Sequence, residues 1–119
     1  MGWIFWDKGQ RDFSLADGEL AFTSFERALR VFYFARAHAN QEGKIHPTQK
    51  PVALYRWLLE KYAEPSQRIL DTHLGSGSIA IACHYFGAHL TASEIDPDYF
   101  AAAQERIARE TAQQTLFPA

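Results

Sequence analysis

The most constraining feature of the sequence is a glycine-rich turn between a strand and a helix. Residues 68–71 (RILD) have the apolar content of a short strand, and 76–86 (SGSIAIACHYF) that of a helix, which Gly87 ends. A second strand is predicted over 89–95. A strand, a helix and a second strand in this order form a βαβ crossover, which requires a parallel sheet with helices on its faces. The sequence therefore predicts an α/β fold.

Further elements are predicted from apolar periodicity outside this unit. Residues 2–6 and 29–35 are rich in aromatic and β-branched side chains, and each is predicted as a strand, the first of them buried. Residues 48–63 and 98–113 carry apolar side chains at helical spacing and are predicted as amphipathic helices. Residues 11–25 lack clean periodicity and are predicted to be mostly loop.

The two amphipathic helices have predicted starts and inward faces. Thr48 is the expected N-cap of the first, with Pro51 in its first turn. Asp96 is the expected N-cap of the second, with Pro97 at its first helical position. The expected inward side chains are Val52, Tyr55, Leu58, Leu59 and Tyr62 in the first helix and Phe100, Ala103 and Ile107 in the second.

The glycine-rich turn has the spacing of a nucleoside-binding loop. Residues 75–80 (GSGSIA) fit the pattern G-x-G-x-x-G/A, and Glu94 follows 17 residues after Gly77 at the end of the next strand. In such loops the glycines let the backbone approach a ligand closely, while the acid accepts hydrogen bonds from two ribose hydroxyls. The alternative is a tight turn without a ligand, beside a solvated glutamate.

Asp71, which ends the strand before this turn, bears on which nucleoside would bind. A carboxylate there would repel the pyrophosphate that a dinucleotide places at a helix N-terminus. It would accept hydrogen bonds from an ammonium group, and S-adenosylmethionine carries an ammonium and a sulfonium but no phosphate. Charge therefore favours S-adenosylmethionine over NAD. The alternative role for Asp71 is to cap the turn.

Composition excludes several other classes of protein. The formal net charge is −2, so bulk electrostatic attraction alone would not hold this chain on nucleic acid. No apolar run approaches the roughly 18 to 20 residues of a membrane helix. The single cysteine, Cys83, excludes an internal disulfide and suits a reducing compartment, and its neighbour His84 points elsewhere on the helix. We expect a cytoplasmic protein without a membrane span or a metal site.

Four segments occur in a recognisable order. In chain order they are residues 6–9 (WDKG), 46–51 (HPTQKP), 71–78 (DTHLGSGS) and 94–96 (EID). The HPTQKP segment begins 25 residues before Asp71. These segments resemble elements of the DNA amino-methyltransferases, which methylate adenine N6 or cytosine N4. In that family the cofactor loop is usually Asp-Pro-Phe-x-Gly-Ser-Gly-Thr. The order, with HPTQKP before the loop, is similar to that of the circularly permuted β group.

The resemblance implies a Rossmann-like fold and methylation of DNA with S-adenosylmethionine as cofactor. Thr72 and His73 stand where the family has a proline and an aromatic residue. The cofactor-binding residues that the resemblance implies are Asp71, Gly75, Ser76, Gly77, Ser78 and Glu94, with Thr48 and Lys50 as second choices.

The family's catalytic motif, Asp, Asn or Ser followed by Pro-Pro and an aromatic residue, does not occur in the sequence. Residues 96–99 (DPDY) are similar to it, but they follow the ribose-binding strand, and Asp98 replaces the second proline. In the permuted group the motif precedes every segment named above. We therefore expect 1–119 to form one partial domain with an incomplete sheet, its cofactor-binding part being 46–113. We expect no catalytic residue in this chain and no methyl transfer by it alone.

The resemblance also implies partners. A second chain, or a second copy in a homodimer, would cover the open sheet edge and complete the pocket for the target base. DNA would be bound by that fuller enzyme. Residues 113–117 (QQTLF) resemble the peptide with which bacterial proteins bind the replication sliding clamp, and a frayed tail is the alternative. Two other classes stay open: a non-catalytic remnant or assembly subunit, and a fragment of an NAD-type Rossmann enzyme.

Overall fold

The structure is a computed structural model that describes residues 2–10, 16–35 and 43–112. The chain forms two compact units, residues 1–43 and residues 44–119. Within the described residues, the first unit holds three strands, and the second holds two strands and three helices. None of the described helices is long and apolar enough to cross a membrane.

The first unit is a three-stranded sheet with β1 (Trp3–Asp7) at its centre. β2 (Gly18–Phe22) pairs with β1 antiparallel, and β3 (Arg30–Tyr33) pairs with it parallel on the other side. Both strands predicted in this unit are confirmed. The prediction of mostly loop over 11–25 is wrong for β2, because the segment GELAF has a weak pattern of its own and becomes a strand by pairing with β1.

The two faces of this sheet differ in exposure. Ile4 and Trp6 are buried, and Trp6 Nε1 donates a hydrogen bond to the carbonyl oxygen of Phe34 at 3.0 Å. The opposite face carries the exposed apolar side chains Trp3, Leu20, Phe22, Val31 and Tyr33. The first strand is therefore buried on one face only, not throughout as its composition predicts.

The second unit contains the predicted βαβ crossover. α1 (Val52–Tyr62) leads to β4 (Arg68–Asp71), and α2 (Ser78–Phe86) connects β4 to the parallel strand β5 (His89–Ala92). β5 is shorter than predicted because its partner strand already ends at Asp71. The crossover brings the carboxyl ends of both strands to one edge, which places the glycine turn beside the residues after β5.

The core of this unit lies between α1, α2 and one face of the two strands. Leu59, Ala82 and Cys83 are buried there, and Ile69 and Leu90 pack against them from β4 and β5. The expectation that Cys83 is a small buried helix residue is confirmed, with 2% of it exposed.

α1 begins later than predicted. Its N-cap is Pro51, which has an extended backbone (φ −68°, ψ 146°), so Thr48 is not the N-cap. The reason is that a residue before proline is disfavoured in the helical region, which keeps Lys50 out of the helix. Thr48 instead lies in a turn, where its hydroxyl contacts the His46 ring nitrogen Nδ1 at 3.2 Å.

α3 (Pro97–Thr111) begins as the sequence predicts. Asp96 Oδ1 accepts hydrogen bonds from the backbone N–H groups of Asp98 and Tyr99 at 2.9 and 3.0 Å, which is N-cap geometry. The segment DPDY is therefore a helix start.

The inward face of α3 departs from the prediction at one end. Ala103 is fully buried and Ile107 half buried, but Phe100 is 37% exposed. The inward face instead includes Tyr99, which is half buried, and Arg106, which is only 3% exposed. The helical spacing of Phe100, Ala103 and Ile107 predicts Phe100 on the inward face, whereas the packing follows positions 99, 103 and 106.

Candidate functional site

A cavity of about 290 Å³ opens at the carboxyl ends of β4 and β5 in the second unit. Its walls come from four places: the HPTQKP segment, Tyr55 of α1, the glycine turn with the two residues before it, and Glu94, the second residue after the end of β5. The lining residues that the sequence had singled out are Thr48, Lys50, Gly75, Ser76 and Glu94, and His46 and His73 line the cavity as well.

The glycine turn adopts backbone conformations that favour glycine. Gly75 has φ 60° and Gly77 has φ 84°, both in the left-handed region. Gly77 is the N-cap of α2, which therefore begins at Ser78, two residues later than predicted. At the other end, Gly87 (φ 91°) ends α2 as predicted, and its N–H donates to the carbonyl of Cys83.

Glu94 is held at the cavity wall by two backbone groups. Its Oε1 accepts from the N–H of Gly75 at 2.8 Å, and its Oε2 accepts from the N–H of Asp96 at 3.1 Å. The hydrogen bonds from Asp96 and then Gly75 lower the pKa of Glu94 below its ordinary value. A carboxylate has about four acceptor positions, so this group can still accept hydrogen bonds from a ligand in the cavity.

Gly77 and Ser78 face away from the cavity, toward α3. A Cβ on Gly77 would lie 2.9 Å from Cδ1 of Ile107, so a larger residue at position 77 would require the Ile107 side chain to shift. Ser78 is 1% exposed, and its hydroxyl lies 3.1 Å from that of Ser76. Neither residue is among those that line the cavity, and their contact with a cofactor stays a prediction.

Asp71 caps the glycine-rich turn, which is the alternative role predicted for it. Its Oδ1 accepts from the N–H of His73 at 2.9 Å, which is the hydrogen bond of an Asx turn. Asp71 is half buried and does not line the cavity, and its binding of an ammonium group stays a prediction.

The HPTQKP segment is held together by its own hydrogen bonds. The N–H of Thr48 donates to Nδ1 of His46 at 3.2 Å, and Lys50 Nζ donates to the carbonyl of Thr48 at 3.0 Å. Since Nδ1 accepts, a neutral His46 ring carries its proton on Nε2. A Cβ on Gly75 would lie 3.9 Å from that Nε2, so this nitrogen faces the glycine turn.

The site includes residues that were not predicted from the sequence. Five of them line the cavity, namely His46, Gln49, Tyr55, His73 and Leu74, and Arg106 contacts the glycine turn from outside the cavity. His46 lines the cavity and packs on the ring of Tyr99 with 4.3 Å between ring centroids. Its signal was present, since it is the first residue of HPTQKP. Arg106 donates from Nη1 to the Ser78 hydroxyl at 2.8 Å and to the Ser76 carbonyl at 3.2 Å. Its only signal was a charged side chain three residues after the inward Ala103.

Other charged and reactive groups support no separate site. No cluster of three metal-ligating side chains occurs among the described residues.

Burial, and then the nearby charge of Asp71, raise the pKa of the Cys83 thiol. In the first unit, Lys8 pairs with Glu19 at 2.7 Å. Residues 113–117, which resemble a clamp-binding peptide, lie outside the described residues.

Comparison with protein families shows which family the chain belongs to. The family model described as DNA methylase matches residues 17–105, which is most of the chain. The chain belongs to the DNA methylase family. This methylase chain is 32% identical over 81 residues to the type II methyltransferase M.HpaI of Haemophilus parainfluenzae, covering 67% of this chain and 26% of that protein.

A further relative agrees with this assignment, and two solved structures have a similar fold. The putative methylase YubD of Escherichia coli K12 is 36% identical over 63 residues, covering 53% of the methylase chain and 28% of YubD. The crystal structure of the M1.HpyAVI–SAM complex matches with a TM-score of 0.70 at 23% identity, over 88% of this chain and 60% of that one. TTHA0409 of Thermus thermophilus, complexed with S-adenosyl-L-methionine, matches with a TM-score of 0.59 at 17% identity, over 93% and 54%.

These matches establish the fold of the chain and show what share of each relative's length it spans. The methylase chain shares the α/β fold of these methyltransferase structures, as the sequence predicts. It spans about a quarter of the length of the curated relatives and somewhat over half of the solved structures.

Proposed function

We propose that this chain binds S-adenosylmethionine in the cavity of its second unit and forms the cofactor-binding part of a DNA amino-methyltransferase. The observation that carries the proposal is the position of Glu94. Its carboxylate is held at the cavity wall by the N–H groups of Gly75 and Asp96, between the glycine turn and HPTQKP. An ionised acid so placed suits a ribose diol. The matching structures of M1.HpyAVI and TTHA0409 are complexes with the same cofactor.

The charges around the cavity suit this cofactor. Glu94 supplies a negative charge and Lys50 a positive one, and both line the cavity. S-adenosylmethionine offers a ribose diol to the first and a carboxylate to the second. Asp71, at the end of β4, is the proposed acceptor for its ammonium group.

The packing of the N-terminus of α2 argues against a dinucleotide, which would place its pyrophosphate there. Gly77 and Ser78 at this N-terminus are packed against α3 and do not line the cavity. A single nucleoside therefore fits better here than NAD.

The reaction needs groups that this sequence does not contain. S-adenosylmethionine supplies a methyl group on a sulfonium, which the exocyclic amine of adenine or cytosine takes by in-line displacement with loss of a proton. The chain has no two adjacent prolines, so the family's amine-binding motif is missing from it. We propose that another polypeptide segment or a second, different chain supplies these groups, and that DNA is bound by the completed enzyme.

Cofactor binding by the full 119-residue chain tests the first part of the proposal. Isothermal titration calorimetry should show one site for S-adenosylmethionine and no binding of NAD. Glu94→Ala should weaken binding by at least about tenfold, as expected for the loss of hydrogen bonds to a charged group. Glu60→Ala, on the exposed side of α1, is the control and should bind like the wild type. A wild-type chain that binds NAD, or neither compound, would contradict the proposal.

Methyl incorporation tests the second part. The chain, incubated with DNA and S-adenosylmethionine labelled in its methyl group, should transfer no label by itself. Addition of a polypeptide that carries a Pro-Pro-aromatic motif should restore transfer. Labelled DNA in the absence of any such partner would overturn the proposal that the catalytic groups come from elsewhere.

A further inference from the structure

Arg106 is a buried charged residue whose hydrogen bonds reach the glycine turn. It is the tenth of the 15 residues of α3, and only 3% of it is exposed. Its Nη1 donates to the carbonyl oxygen of Ser76 at 3.2 Å and to the hydroxyl oxygen of Ser78 at 2.8 Å. Arg106 itself does not line the cavity, but Ser76 does. Any effect of Arg106 on the cavity would therefore pass through Ser76.

We propose that Arg106 is a positioning residue that fixes the glycine turn from the side away from the cavity and so sets the affinity for the cofactor. The second half of this inference rests on the proposed function. A guanidinium is costly to bury unless its hydrogen bonds are made in good geometry, so an apolar side chain would serve better if the position only had to be filled.

The turn is held by two charged groups of opposite sign. The Glu94 carboxylate accepts the N–H of Gly75 at 2.8 Å, and the Arg106 guanidinium donates to the carbonyl of the next residue, Ser76. These two contacts fix both ends of the Gly75–Ser76 segment, in which Gly75 has φ 60°. Charge-assisted hydrogen bonds are stronger than neutral ones, so the segment should be held in one conformation.

α3 also limits the turn sterically. Ile107, the neighbour of Arg106, lies so close to Gly77 that a Cβ there would be 2.9 Å from its Cδ1, and Ala103 lies 3.4 Å from the same point. One face of α3 therefore provides both the hydrogen bonds and the close packing that shape residues 75–78. If Arg106 is lost, the Ser76 carbonyl loses this hydrogen bond, and its peptide group is then held by the Gly77 N–H, which donates to the carbonyl of Leu74 at 3.2 Å. The cavity wall that Ser76 forms should be held less firmly as a result.

Amide hydrogen exchange on the full chain tests whether Arg106 fixes the turn. The variant is Arg106→Met, and the matched control is Arg109→Met, which changes an exposed arginine of the same helix. The Gly75 and Gly77 amides, which donate to Glu94 and to Leu74, should exchange at least about tenfold faster in Arg106→Met, the effect of losing a charge-assisted hydrogen bond. The His89 amide, which donates to Gln67 away from the turn, should change little.

Cofactor titration tests the consequence for binding. Arg106→Met should raise the dissociation constant for S-adenosylmethionine by about tenfold or more. Arg106→Lys, which keeps the charge and a donor group but loses the planar guanidinium, should restore part of the affinity. Combining Arg106→Met with Ser78→Ala should cost less affinity than the two single changes together, because both remove the same hydrogen bond. Arg109→Met should bind like the wild type.

Several outcomes would overturn the inference. Turn amides that exchange at the wild-type rate would show that Arg106 does not hold the turn. An equal increase in the exchange rates of the Gly75, Gly77 and His89 amides would show that Arg106 stabilises the second unit as a whole and not the turn in particular. If Arg106→Met does not fold, Ser78→Ala makes the same comparison with a smaller expected effect. A wild-type chain that binds no cofactor would contradict the proposed function, whereas the exchange of the turn amides would still decide the role of Arg106 in the turn.

Discussion

Gly77 and Ile107 are in such close contact that a Cβ on Gly77 would lie 2.9 Å from Cδ1 of Ile107. Gly77 also has φ 84°, in the left-handed region. Two separate demands therefore select glycine at the start of α2: the backbone conformation and the approach of α3. In dinucleotide-binding folds, one glycine of this pattern allows a helix to pack closely against a strand. In this chain, Gly77 instead allows the start of α2 to pack closely against a second helix, α3.

Replacement of Gly77 by alanine separates these two demands. We expect Gly77→Ala to lower the free energy of unfolding by about 2 to 4 kcal/mol, from the left-handed strain and the clash with Ile107 together. The control is Gly87→Ala, since Gly87 has φ 91° but no atom within 4 Å of its Cβ position. That change should cost only about 1 to 2 kcal/mol. Urea unfolding measures both, and equal losses would contradict the role of the Ile107 contact.

The pKa of Glu94 predicts how stability depends on pH. Because hydrogen bonds from Asp96 and Gly75 lower this pKa below its ordinary value, the ionised group stabilises the folded state above that ordinary pKa. This contribution is lost as the pH falls through the lowered value. When the pH falls from neutral to acid, the free energy of unfolding should therefore decrease less in Glu94→Gln than in the wild type. The urea concentrations at the unfolding midpoint measure this decrease. Glu60→Gln, on an exposed position of α1, should follow the wild-type curve. An unchanged acid dependence in Glu94→Gln would show that these hydrogen bonds are not made in solution.

The parts of the fold that the sequence predicted correctly are those that local chemistry determines. The strand–turn–helix unit was predictable because its glycines and its apolar runs are neighbours in sequence, and the start of α3 because Asp96 and Pro97 form the cap themselves. β2 was not predictable, because it becomes a strand by pairing with β1. The hydrogen bonds of Arg106 span 28 and 30 residues, so no local pattern indicates them.

The cavity was predictable in composition but not in geometry. Thr48, Lys50, Gly75 and Glu94 line it together, as the motifs had suggested. That Gly77 and Ser78 turn toward α3 depends on the path of the chain after β5, which is a property of tertiary packing. The exposed position of Phe100 has the same origin, since the direction from which the core approaches a helix is not encoded in the helix alone.

His46 provides a test of the HPTQKP wall of the cavity. His46→Phe keeps a ring to pack on Tyr99 but removes the Nδ1 acceptor of the Thr48 N–H and the Nε2 that faces the glycine turn. We expect this variant to bind S-adenosylmethionine about tenfold more weakly, the effect of losing a hydrogen-bonding group, with a small change in melting temperature. His84→Phe is the matched control, because His84 is exposed on α2 and does not line the cavity. If the two variants bind S-adenosylmethionine with equal affinity, His46 does not contribute to the binding site.

Cys83 should report on the unfolding of the second unit, since it is the single cysteine of the chain and is 2% exposed in the core between α1 and α2. Burial, and then the charge of Asp71, raise the pKa of its thiol and so disfavour the reactive thiolate. We expect a thiol reagent such as 5,5′-dithiobis(2-nitrobenzoic acid) to react very slowly with the native chain at neutral pH and rapidly in denaturing urea. Gly77→Ala, which destabilises the α2–α3 contact, should speed native labelling in proportion to its loss of stability, because labelling then proceeds through transient opening. Rapid labelling of the native wild type would show that α1 does not cover α2 in solution.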